Sequence, residues 1–260
     1  MFLNLNNEQQ HALDAAKQAF GPMLEGLVKY SIPITIVTFI LGLAIALFTA
    51  LMRISTSKIL RGIARVYVSI IRGTPMIVQL FIIFYGIPEL GRLITNDADN
   101  QWTLAPVVAA IIGLSFNVGA YASEIIRGGI ISIPKGQTEA AYSIGMNYRQ
   151  TVQRIILPQA IRVSIPALGN TFLSLIKDTS LLGFILVAEM FRKAQEVAST
   201  TYEFLTIYLL VAILYWIVCF IISIVQSYYE SYIEMRAERE VTLQKQQQKQ
   251  RHQKINNKTC

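Results

Sequence analysis

The chain has 260 residues, 53% of them hydrophobic and only 15% charged, with a formal net charge of +7. That is more apolar and less charged than a soluble domain, and it points to an all-α, polytopic membrane protein. The basic residues cluster beside apolar runs, so they read as topology signals and argue against nucleic-acid binding. Two cysteines, Cys219 inside an apolar run and Cys260 at the end, imply no disulfide framework.

Residues 1–25 read as a polar, weakly helical, extracytoplasmic lead-in; with Glu8, Asp14 and Glu25 it lacks the pattern of a secretory signal. Ile32–Met52 is uncharged and long enough to be a first span. Arg53, Lys58, Arg61 and Arg65 follow without an acid, which marks the inner side and places the N-terminus outside. A second span is predicted from about Ala64 to Tyr85, kinked at Pro75. Residues 88–103, with Glu89, Asp97 and Asp99 against Arg92, read as an external acidic loop. A third span covers about Leu104 to Ile126, with Glu124 and Arg127 at its inner end, either as a gate salt bridge or as a solvated pair.

Residues 131–158 form a polar island between apolar segments. Pro134 suits a first helical turn, Glu139, Ala140 and Ala141 favour helix, and Gly145 interrupts it. Asn147 and Gln150 have the spacing of an N-cap and its reciprocal partner, and the second short helix is expected to stop near Pro158. The fourth span is expected to be broken: 163–176 is uncharged, Lys177 and Asp178 interrupt it, and Thr179–Ala188 resumes. Residues 204–229 make a fifth span. In that span Tyr208, Tyr215, Trp216 and Phe220 read as packing and interfacial aromatics. The basic tail from 231 to 260 reads as a cytoplasmic helical extension fading into disorder.

Ionisable groups inside spans are functional candidates by default. Asp178 and the adjacent Lys177 are candidate substrate contacts: Asp178 can receive a substrate ammonium group, or can be neutralised by Lys177 or Arg72 as a structural pair. Arg72 can meet a carboxylate or snorkel to the surface. Thr179 can offer a hydrogen bond or satisfy freed backbone. Asn170 and Asn117 can touch substrate or join helices.

The island resembles the loop signature of ABC-transporter permease subunits: Glu139-Ala140-Ala141, Gly145, and Ile155-Ile156-Leu157-Pro158 fall in register. Arg72-Gly73-Thr74-Pro75, Gln79-Leu80, Ala120 to Gly129, Lys135-Gly136-Gln137 and Lys177 to Leu181 resemble the polar amino-acid branch, and the whole pattern is most similar to L-cystine permeases. The resemblance covers roughly 20–230 and implies a type I importer permease fold with five spans. It implies a transmembrane domain at 26–230, with Glu139, Ala140, Ala141, Gly145, Leu157 and Pro158 in a cytoplasmic coupling loop. The implied partners are a cytoplasmic ATPase dimer, a second permease subunit (in a homodimer or heterodimer), and an extracytoplasmic amino-acid-binding protein. ATP is then hydrolysed by the partners; this chain lacks a Gly-x-x-x-x-Gly-Lys-Ser/Thr loop and needs no cofactor or metal. An ion-driven secondary transporter is the alternative. An intramembrane enzyme is disfavoured, because His11 and His252 lie in polar terminal segments and no nucleophile turn is present.

Overall fold

The computed structural model describes residues 7–95 and 103–256, with side chains described through Tyr232, except those of residues 1–6 and 96–102, and at Met235. All regular elements in these residues are helical. Among the described residues four helical runs are long and apolar enough to cross a membrane, and a bent pair, taken as one span, brings the number to five. The protein is a multi-pass membrane protein with the expected all-α architecture.

The chain begins with α1 (Asn7–Gly26), which continues through a π turn (Leu27–Ser31) into α2 (Ile32–Ile54). From Asn7 onward the lead-in is therefore a continuous helix, where the sequence suggested only a weak one. Its Ala15, Ala19 and Met23 recur at helical spacing and are buried in a cluster with Met190, Ala194 and Ala198. Short helices gain most of their stability from such packing, which the polar composition of 1–25 conceals.

α3 (Lys58–Gly73) follows, then α4 (Met76–Phe81), a second π turn (Ile82–Gly86) and α5 (Ile87–Thr95). The expected second span is not one kinked helix. The backbone is extended at Thr74, because a residue before proline avoids the helical region. The apolar run is Met76–Thr95, and α3 stands apart from it. The acidic loop expected at 88–103 is helical as far as Thr95; its residues 96–102 lie outside the described residues.

α6 (Pro106–Ser132) packs against α2 through buried small residues, among them Ala46, Ala50, Ala110 and Ala122. Small side chains let helix backbones approach closely where no aqueous hydrophobic effect drives association. After α6 come α7 (Lys135–Ser143), α8 (Tyr148–Thr151), a third π turn (Val152–Ile156) and α9 (Leu157–Asp178).

The helix does not stop at Pro158, contrary to expectation. Leu157 N–H bonds to the carbonyl of Val152, five residues back. The same arrangement precedes Pro33, where Ile32 N–H reaches Leu27, and Pro88, where Ile87 N–H reaches Ile82. A proline lacks the N–H and its ring crowds the carbonyl four residues earlier. Widening the preceding turn by one residue accommodates both, so the helix continues.

α9 also passes through Lys177 and Asp178. It tightens into a 3₁₀ helix (Thr179–Ile185) and ends at Leu186, whose φ of 67° is left-handed. α10 (Met190–Thr201) then departs at 52° from the preceding rod. The span is broken as expected, but at Leu186, eight residues after Asp178. Thr179 Oγ1 donates to Ile176 O at 2.6 Å and Ser180 Oγ to Lys177 O at 2.7 Å, so the tightened turn keeps its carbonyls paired.

The turn at 186–189 is anchored by Glu189, which is 0% exposed. Its carboxylate accepts from the backbone N–H groups of Phe191 and Arg192 at 2.7 and 2.6 Å, and from Tyr215 Oη at 3.3 Å. This is an N-cap made by a carboxylate, favourable at the positive end of α10. α11 (Phe204–Asn256) is apolar over Phe204–Tyr232. Contacts separate residues 1–219 from a second unit, 220–260, which consists of the remainder of α11 in the described residues.

Candidate functional site

Thr74 and Pro75 at the extended break, Asn117 and Tyr121 on α6, and Asn170, Thr171, Ser174 and Asp178 on α9 line one cavity of about 470 Å³. That volume falls in the roughly 300–1,000 Å³ range of small-molecule sites. The α9 residues recur at three- and four-residue steps, so one face of a single helix carries amide, hydroxyls and carboxylate.

The facing wall is built by the break. Gln79 Nε2 donates to the carbonyls of Ile71 and Thr74 at 2.8 and 3.0 Å, and contacts Thr74 Oγ1 at 2.9 Å. Asn117 Nδ2 donates to Gln79 Oε1 at 3.3 Å, which ties α6 to the same network. Carbonyls freed inside a membrane must find such partners. The Arg72 guanidinium lies 5.3 Å from the centroid of the Tyr121 ring, within cation–π range.

The structure thus brings Asp178 and Asn170 to one cavity and Arg72 to its rim, beside Tyr121. Lys177 is exposed on α9 and is not part of the lining; Thr179 is buried, its hydroxyl bonded to its own helix. Sequence reasoning did not single out Thr171, Ser174 or Tyr121. The polar stripe from Asn170 to Asp178 at helical spacing was the available signal. Glu124 is more than a pair with Arg127: Arg127 reaches its Oε2 at 2.8 Å and Arg53 of α2 reaches its Oε1 at 3.0 Å.

Chemically, the cavity offers one carboxylate, Asp178, together with neutral donors, and Tyr121 of its lining stacks against the Arg72 cation. An amino-acid zwitterion needs that combination, an acceptor for its ammonium group and donors for its carboxylate.

A second surface is formed by the loop between α6 and α9. Met146 N–H bonds to Ala141 O at 3.1 Å and Gly145 N–H to Tyr142 O at 2.9 Å, a Schellman closure of α7. Gly145 has φ of 81°, the left-handed value that glycine alone takes without strain. Asn147 and Gln150 form the expected reciprocal cap, at 2.9 and 3.0 Å. Ala141 faces inward, while Glu139, Ala140 and Pro158 are exposed and Leu157 is half-buried. Ile144 and Tyr148 are 78% and 63% exposed, so the corner presents apolar side chains outward.

A family model described as binding-protein-dependent transport system inner membrane component matches residues 27–234. The L-cystine transport system permease protein TcyB of Bacillus subtilis (strain 168) is 54% identical over 200 residues, covering 76% of this chain and 81% of that protein. The L-cystine transport system permease protein TcyL of the same organism is 41% identical over 194 residues, covering 75% and 80%. Among solved structures, an amino acid ABC transporter crystallised with histidines superimposes with a TM-score of 0.73 and 32% identity, over 82% of this chain and 94% of that one.

Proposed function

The chain belongs to the family of binding-protein-dependent transport system inner membrane components, and we propose that it moves L-cystine through the cavity at Asp178. It is a membrane permease subunit of an ABC importer for polar amino acids, and not an enzyme. The reading of the cavity rests on one observation: Asp178, Asn170, Ser174 and Asn117 converge on one space. Asp178 holds an ammonium group, while the amides and hydroxyls, with Arg72 at the rim, hold a carboxylate. The choice of cystine is supported by the 54% identity to TcyB.

In this reading a transmembrane domain at 26–230 pairs with a second permease subunit, and an extracytoplasmic binding protein delivers the substrate. The N-terminus is outside. The loop at 131–158 and the tail at 231–260 are cytoplasmic. An ATPase dimer hydrolyses ATP and docks on the corner formed by Glu139, Ala140, Ala141 and Gly145, with Leu157 and Pro158 passing its motion into α9. The exposed Ile144 and Tyr148 support that docking, since a large partner buries such side chains.

The test is ATP-dependent uptake of radiolabelled L-cystine by the assembled transporter, with unlabelled amino acids as competitors. Cystine should compete best. Stronger competition by histidine, arginine or glutamine would reassign the substrate, and uptake that follows an ion gradient without ATP would remove the importer mechanism.

A further inference from the structure

α3 carries Lys58, Arg61, Arg65 and Arg72 and no acidic residue. At 3.6 residues per turn these four fall within about 60° of arc. Ile59, Ile63, Val66 and Ile70 are exposed on a different arc, and Ala64 and Val68 are buried on a third. The apolar stripe suits lipid. The basic stripe does not: Lys58, Arg65 and Arg72 are exposed and Arg61 is half-buried, and such charges call for a polar or water-filled surrounding.

Arg72 lies about 21 Å beyond Lys58 along the helix. It sits 5.3 Å from the ring of Tyr121, and Tyr121 lines the cavity, as does Thr74 two residues further on. The stripe therefore starts at the cavity rim and runs to the Lys58 end of α3. Among the described residues, none of the four cations has a carboxylate within ion-pair distance. Glu124, one turn along α6 from Tyr121, is already held by Arg53 and Arg127.

We propose that this stripe is the inward path for the substrate's carboxylate, which passes from Arg72 to Arg65, Arg61 and Lys58 as it leaves the cavity. The proposal rests on the transport reading above, with the Lys58 end of α3 cytoplasmic. Successive cations are about 5–11 Å apart along the axis. A substrate with a carboxylate at each end can engage two of them at once, each through charge-assisted hydrogen bonds to a guanidinium or ammonium group.

The test uses the complete transporter, with ATPase and binding protein, in neutral phosphatidylcholine vesicles containing ATP. Uptake of radiolabelled L-cystine is compared for wild type, R61Q, R65Q, the double variant and R65K. The double variant should turn over about tenfold more slowly. Its half-saturating concentration of loaded binding protein should not change, and R65K should retain most of the rate. Raised salt inside the vesicles should slow the wild type toward the double variant's rate and leave that variant unmoved. The salt arm needs no variant, so it stands even if a substitution impairs assembly. Unchanged uptake in the double variant, or a salt-insensitive wild type, overturns the stripe alone. A deficit confined to vesicles containing phosphatidylglycerol assigns the cations to lipid headgroups and also overturns it. Wild-type complex that takes up no amino acid overturns the transport reading itself.

Discussion

Gln79 Nε2 donates to the carbonyl of Thr74 at 3.0 Å, reaching back across the break at Pro75 that shapes one wall of the cavity. The same nitrogen serves Ile71 O, and Gln79 is only 8% exposed. Gln79→Leu keeps the volume and removes the donors, leaving two carbonyls short of partners. The expected loss is about 1–3 kcal/mol of stability. A lower unfolding temperature of the purified subunit in nanodiscs checks it; an unchanged midpoint would mean that water or another donor replaces the amide.

Asp178 is the carboxylate of the cavity lining. Asp178→Asn retains shape and a hydrogen-bonding group but removes the charge that we propose receives the substrate's ammonium group. We expect uptake to lose about tenfold or more in kcat/KM, equivalent to about 1.4 kcal/mol or more. Kinetics of the reconstituted transporter at saturating binding protein decide the point. Wild-type rates in that variant would leave Asp178 a structural residue.

A Cβ at Gly145 would meet nothing within 4 Å, so room is available and only backbone strain opposes a side chain. Gly145→Ala should cost about 1–2 kcal/mol through its φ of 81°, and Gly145→Asn less. Gly145→Trp adds bulk to the proposed docking corner. It should abolish co-purification of the ATPase while membrane insertion remains normal. If the ATPase still co-purifies and import persists, the corner does not carry the coupling.

A Cβ at Gly26 would lie 2.7 Å from the backbone carbonyl carbon of Glu189, whereas one at Gly21 would meet nothing within 4 Å. Gly26→Ala should therefore destabilise the packing of α1 on α10 by about 1–3 kcal/mol. Gly21→Ala should be neutral or stabilising by up to about 1 kcal/mol. Thermal unfolding of the two variants side by side tests the contact, and equal midpoints would remove it.

The sequence by itself determined the class, the first, third and fifth apolar spans and the corner at Gly145. Those features depend on local physics: runs of uncharged residues, a glycine where φ must be positive, and a reciprocal cap between Asn147 and Gln150. Tertiary structure decided where helices end. Pro158 looked like a stop, yet a π turn carries the helix past it; Lys177 and Asp178 looked like a break, yet the chain turns at Leu186, where Glu189 caps the next helix. The polar lead-in became a helix only because Ala15, Ala19 and Met23 meet α10. The cavity, too, is a property of assembly. Thr74, Tyr121 and Asp178 come from three distant segments, and a linear pattern holds no record of which helix faces which until the side chains have packed.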